Sequence, residues 1–117
     1  MLTIEQVAAQ QKPKVIDYRK EKYAIVSKRV LTNVTKFERP TDKLVYVILC
    51  MYADNDDKTS YPSNERIAEL ANCSARTVQR SVKLLEEIGA ITVEERHDVR
   101  GYRTSNIYYL NELPADF

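Results

Sequence analysis

Apolar residues recur at helical spacing in three successive runs between residues 41 and 91, and the polar residues separating them are ones that start and stop helices. In residues 41–52, Leu44, Val45, Ile48, Leu49 and Tyr52 fall on one side, Thr41 suits an N-cap and Asp42 suits the positive end of the helix dipole. A core helix is predicted there. Residues 53–61 (ADNDDKTSY) are polar and turn-rich, and Pro62 with Ser63 restarts the chain into a second helix over 63–71, with Ile67, Ala68, Leu70 and Ala71 directed inward. Asn72 and Cys73 then form a tight turn, Ser74 caps a third helix (SARTVQRSVKLLEEI), and Gly89 closes it. Residues 90–96 and 102–110 alternate in polarity around HDVRG, which predicts a β-hairpin. Upstream, Thr3 with Gln6 three positions on can cap a short helix using Ile4, Val7 and Ala8 before Pro13 stops it. Residues 23–26 are β-prone, and Ser27 opens a helical turn through Val30 and Leu31 before a loop that ends at Pro40.

Helix, turn, helix and hairpin in this order make an α+β winged helix with a short N-terminal arm. The predicted organisation is an arm over 1–36, a winged-helix domain over 37–112, and a C-terminal tail or truncation point at 113–117. The third helix carries the chemistry. At 100° per residue, Val78, Ser81, Val82, Leu85 and Ile88 share one side, and Arg76, Gln79, Arg80, Lys83 and Glu87 share the other. Arginine and glutamine suit bidentate contacts with guanine and adenine edges, while Ser74 and Thr77 at the helix start offer hydroxyls and N–H groups to phosphate. Ser63 and Asn64 at the start of the second helix are further candidates for backbone contact. Glu86 and Glu87 restrict base contact to about the first two turns of the helix.

Composition narrows the alternatives. Eighteen basic residues face seventeen acidic ones, a net +1 that argues against a polybasic peptide. The charges are unevenly placed, because residues 12–36 hold eight basic side chains against Asp17 and Glu21. Lys28 and Arg29 in this stretch are candidate arm contacts to phosphate, and the stretch can equally be the solvated surface of a dimerising arm. Arg96, Arg100 and Arg103 bracket His97 and Asp98 at the hairpin tip, where phosphate contact and simple solubility of a charged turn are the competing readings. One histidine and two cysteines, Cys50 and Cys73, cannot supply a zinc site with the usual Cys/His spacing, so no metal is expected. Two cysteines are no disulfide framework, no apolar leader core is evident, and a reducing cytoplasmic setting is expected. The longest apolar stretch, residues 44–51, is far short of the roughly 20 residues that span a bilayer.

Two glycines, Gly89 and Gly101, exclude glycine-rich phosphate or dinucleotide loops. Glu94 and Glu95 point to opposite faces of a strand, and Asp54, Asp56 and Asp57 lie in a polar loop, so neither set reads as an acid/base pair. No enzyme, cofactor or small-molecule substrate is expected. Tyr102, Tyr108 and Tyr109 offer base stacking as one use, though strand alternation favours a core position for Tyr108. Both cysteines read as small buried hydrophobes.

The stretches PTDKLVYVILCMYADND, SYPSNERIAELANCSARTVQRSVKLLEEIGAITVEER and TSNIYYL resemble the N-terminal winged-helix domains of plasmid and phage replication initiators of Gram-positive bacteria and of related replisome organisers. YPSNERIAE, CSARTVQR and LEEIGAI are the most specific pieces. The resemblance covers residues 41–110 and implies binding of double-stranded DNA at a repeated or palindromic origin site by a homodimer. Further domains commonly follow the winged helix in such initiators. A transcriptional regulator and a protein-binding winged helix share the same central pattern and stand as alternatives.

Overall fold

The computed structural model describes Thr3, residues 15–53 and residues 62–117. The short helix expected after Thr3, the lysines at 12 and 14, and nearly all of the polar loop before Pro62 lie outside the described residues.

Within them, four helices precede one two-stranded antiparallel sheet: α1 (Lys28–Thr32), α2 (Pro40–Ala53), α3 (Asn64–Ala71), α4 (Ala75–Glu87), β1 (Ile91–Glu94) and β2 (Ile107–Leu110). This is the α+β winged helix-turn-helix arrangement. The helices start where side-chain caps allow. The hydroxyls of Ser27, Ser63 and Ser74 accept the N–H groups of Arg29, Arg66 and Thr77, satisfying donors that have no intrahelical partner. Asn72 ends α3 in the left-handed conformation (φ 54°), and the Cys73 N–H returns to the Ala68 carbonyl, so two residues suffice to redirect the chain into Ser74.

Gly89 ends α4 at φ +82°, where its N–H reaches the Glu86 carbonyl and the Ala90 N–H reaches that of Leu85. A Cβ at this position would meet only the Pro114 Cγ at 3.9 Å, so the penalty of a side chain is conformational. Gly89→Ala is therefore expected to lower unfolding free energy by about 1–2 kcal/mol in urea titration, the cost of holding an L-residue left-handed. An unchanged midpoint would show that the turn relaxes freely.

The core is the place where these elements meet. α2 packs across α4, α3 packs against both, β1 follows from α4, and β2 lies over α2. Val45, Tyr46, Leu49, Ile67, Val78, Leu85, Ala90 and Ile91 are buried at the centre, with Val82, Ile88 and Tyr108 half-buried around them. Val30 joins from α1, and Leu113 and Phe117 pack in from the C-terminal residues, with Phe117 edge-on to Phe37 at a centroid distance of 6.3 Å.

Three expectations change. Residues 23–26 form no strand, since no strand among the described residues lies beside them to complete the backbone ladder. The hairpin strands are shorter than 90–96 and 102–110: the ladder runs from Ile91↔Leu110 to Glu94↔Ile107 and resumes as a single bridge at His97↔Arg103. Two residues on the first side face three on the second across that gap, and such unequal counts break a ladder as a bulge does. Thirdly, Thr41 is not the cap of α2. The helix begins at Pro40, which has no N–H to satisfy, and the Asp42 carboxylate accepts the N–H groups of Glu38 and Arg39 at 3.1 and 2.9 Å. The buried face is thereby rotated toward Asp42 and Tyr46, which leaves Leu44, on the far side from Asp42, 40% exposed.

No helix among the described residues is long and apolar enough to cross a membrane.

Candidate nucleic-acid interface

The amphipathic division of α4 sets what this surface presents. Val78, Ser81 and Leu85 are fully buried, which turns Arg76, Gln79, Arg80, Lys83, Glu86 and Glu87 into solvent. Among the described residues, no carboxylate lies within ion-pair distance of Arg76, Arg80 or Lys83. The charges of this face are therefore not neutralised by Glu86 or Glu87 within the helix. At its start, the Ser74 hydroxyl accepts the Thr77 N–H at 3.1 Å and shares a 2.9 Å hydrogen bond with the Thr77 hydroxyl. Both hydroxyls serve the cap first. Of the opening turn, the Thr77 and Val78 N–H groups are taken by Ser74, which leaves those of Ala75 and Arg76 without an intrahelical acceptor, an arrangement suited to an anion.

On one flank of α4 a groove of about 770 Å³ opens toward the start of α3 and the hairpin. Gln79, Lys83 and Glu86 form its helical wall, while Ser63 and Asn64 stand at its edge. The Asn64 side-chain amide oxygen (Oδ1) accepts the Tyr108 O–H at 3.2 Å, which ties the start of α3 to β2. Burial pushes the Tyr108 phenol above its ordinary value near 10, against smaller opposing contributions from Asn106 and Arg103. The group accordingly remains a donor at neutral pH, holding the wing against α3.

The wing arginines take three different positions. Arg103 turns back toward the groove, 3.5 Å from the Glu95 carboxylate and 3.4 Å from the Asn106 side-chain amide oxygen. Arg96 is half-buried, and its carbonyl accepts the Thr104 N–H at 2.9 Å. Arg100 is exposed at the tip. There, one Asp98 oxygen accepts the N–H groups of Arg100 and Tyr102 at 2.8 and 3.0 Å, and Gly101 turns at φ +86°. Asp98 thus organises the tip backbone, with Val99 and Tyr102 exposed beside Arg100.

Of the two arm candidates, Lys28 is exposed at the start of α1. The Arg29 guanidinium donates to the Pro114 carbonyl and lies 6.0 Å from the Phe117 ring centroid, so it docks the C-terminal residues. Neither lines the groove.

Sequence reasoning passed over a second concavity on the other flank of α4, about 390 Å³, where Glu38 and Arg39 face Arg80, Lys83 and Glu87. Nothing in local spacing connects residue 39 with residue 80. It also passed over the buried contact between Ser81 and Asp42, whose oxygen accepts the Ser81 O–H at 2.7 Å. That contact did leave a signal: a hydroxyl on the apolar side of a helix needs a buried acceptor.

Among the described residues, no three His, Cys, Asp or Glu side chains are grouped to hold a metal ion. No curated protein and no solved structure matches the chain. Residues 39–91 match the family model described as a helix-turn-helix domain, a span that runs from the residue before α2 to the first residue of β1. Such domains place their second helix in the DNA major groove, and the match points to DNA binding. The chain carries a helix-turn-helix domain, built as an α+β winged helix.

Proposed function

We propose that the protein binds double-stranded DNA sequence-specifically, with α4 in the major groove and the hairpin on the flanking backbone. The observation that carries this reading is the face of Arg76, Gln79, Arg80 and Lys83, exposed and free of ion pairs among the described residues, on a helix whose other side is the core. Arg76, Gln79 and Arg80 read base edges; Ser74, Thr77, Lys83, Ser63, Asn64 and the wing arginines meet phosphates. Lys28 is the more accessible of the two arm cations, with Arg29 held by the C-terminal residues. The role is binding, without catalysis, metal or cofactor.

Arg80→Ala is expected to weaken the preferred duplex by about 1–3 kcal/mol and to relax preference at one base position. Arg100→Ala should weaken all sequences alike and reduce the salt slope by about one. Fluorescence anisotropy on cognate and scrambled duplexes reads both effects. Identical losses on cognate and scrambled DNA from the two variants would overturn the division of roles.

The biological setting proposed is a replication origin, supported by the resemblance of YPSNERIAE, CSARTVQR and LEEIGAI to replication initiators. Sequencing of genomic and plasmid fragments retained by the protein at physiological salt tests it. Enrichment of repeated or palindromic origin elements is expected, and enrichment of promoters would make the protein a transcriptional regulator.

A homodimer is the matching assembly, since two-fold sites suit two-fold proteins. Exposed apolar side chains on the arm, among them Val15, Ile16 and Tyr18, support a role for it in association. Light scattering at micromolar concentration is expected to give twice the chain mass, and a monomer mass would reject this assembly.

A further inference from the structure

We infer that Arg39, together with Lys83, forms a second phosphate-binding cleft on the side of α4 away from the wing, bordered by the base-reading Arg80, where it takes a backbone phosphodiester of bound duplex DNA. The inference rests on the proposed DNA reading and adds a residue that neither the helix nor the wing contains.

The geometry of α4 sets the two sides. On a helical projection centred on Lys83, Gln79, Val82 and Glu86 fall to one side and line the wing groove, while Arg80, Leu84 and Glu87 fall to the other and line the smaller cleft. Lys83 stands on the crest between the two. A helix lying in the major groove runs between two phosphate backbones. The wing accounts for one of them, and the cleft beside Arg39 faces the other.

The state of Arg39 indicates what the cleft takes. Its terminal nitrogen is 3.7 Å from an Asp42 oxygen, close enough for attraction and too far for a hydrogen bond. Asp42 has no need of that bond, because its oxygens already accept the Ser81 O–H and the N–H groups of Glu38 and Arg39. The Arg39 Nε is buried and has no acceptor among the described residues. A guanidinium one-third exposed, with unused donors, therefore borders a concavity shared with two further cations. Glu38 and Glu87 also line it, yet neither comes within ion-pair distance of a cation among the described residues. A phosphodiester presents two non-bridging oxygens that share one negative charge, in the geometry that the planar guanidinium fork matches.

The test is the salt dependence of binding of the full chain to fluorescein-labelled mixed-sequence duplex DNA between about 50 and 200 mM salt. Arg39→Gln is expected to lower the slope of log affinity against log salt by about 0.9, the loss of one phosphate contact, whereas Arg39→Lys, which keeps the charge, retains it. A slope unchanged in both variants, even with weaker binding, would confine Arg39 to holding Asp42 and reject the cleft; a slope lowered in both would still support it, as a phosphate contact that needs the guanidinium fork as well as the charge. If Arg39→Gln does not fold, the Arg39 Nε–Hε resonance of the wild-type protein decides: it shifts on addition of the duplex if the cleft is filled and stays in place if it is not. Absence of any salt-dependent binding by the wild-type chain would instead defeat the DNA reading itself, so the two failures are distinguishable.

Discussion

Asp42→Ala is expected to lower the free energy of unfolding by about 3–5 kcal/mol, a large part of the roughly 5–15 kcal/mol available to a domain of this size. The carboxylate is wholly buried and joins three parts of the molecule: the N–H groups of Glu38 and Arg39 before α2, α2 itself, and the Ser81 O–H of α4. Alanine leaves a buried hydroxyl and two backbone donors without an acceptor, and each such orphan costs about 1–3 kcal/mol. Asp42→Asn retains the volume and one carbonyl oxygen but sets an NH₂ against donors, so a smaller loss of about 1–3 kcal/mol is expected. Urea titration reads both, and a shifted midpoint with an unchanged m-value identifies a change in stability rather than in the unfolded chain. A loss below about 1 kcal/mol for the alanine variant would mean that water reaches these donors when the carboxylate is gone. Combining Asp42→Ala with Ser81→Ala should recover part of the sum of the single losses, because the second change removes a donor orphaned by the first.

Asp42 also marks the boundary of what the sequence conveyed. Signals completed within one turn were legible: Ser74 as a cap, Pro62 with Ser63 as the restart into α3, Asn72 as the turn residue, Gly89 as the terminator, and the stripe of Val78, Ser81 and Leu85 as the buried side of α4. Each is written by neighbours three or four positions apart. Interactions spanning dozens of residues were not legible. Local spacing marks the carboxylate three positions after Arg39 as a partner of the helix dipole, whereas its shortest hydrogen bond comes from a hydroxyl 39 positions further on. Once Asp42 is drawn inward, the helix rotates Leu44 outward, an outcome that hydrophobicity by itself does not reveal. The hairpin was legible in kind and overextended in length, since alternation in polarity continues through residues whose unequal numbers break the pairing.

The candidate interface divides along the same line. Arg76, Gln79, Arg80 and Lys83 share a face by simple angular arithmetic, so the structure finds them where periodicity put them. Arg39 and the Asn64–Tyr108 link depend on which loops approach α4, and the ion pair of Arg103 with Glu95 depends on how the wing folds back. Resemblance to replication initiators rests on motifs within the same 39–91 span that the helix-turn-helix match covers, with TSNIYYL beyond it.

Leu85→Ala, the other change with a large effect, is expected to destabilise the protein by about 2–5 kcal/mol and to lower Tm by roughly 10–20 °C, while Leu44→Ala should alter stability by less than about 0.5 kcal/mol. Both leucines belong to apolar patterns of helical spacing, and from periodicity alone they would be equivalent. Leu85 is 0% exposed and sits in the core cluster to which α2, α3 and β1 also contribute, so its removal opens a cavity that three neighbouring elements cannot all close. Leu44 is 40% exposed because Asp42, two positions earlier and about 200° round the helix, marks the side that faces inward. Calorimetric melting of the two variants side by side measures the contrast. Comparable losses would show that Leu44 is covered in solution, which on this surface would require association with another chain, and repeating the melts across protein concentrations would detect that through a concentration-dependent Tm. With Leu44→Ala silent and Leu85→Ala severe, the seating of α4 is the point on which both the stability of the domain and the presentation of Arg76, Gln79, Arg80 and Lys83 depend. Leu85→Ala should then bind DNA with near wild-type affinity well below its own Tm and lose binding in step with unfolding as that temperature is approached.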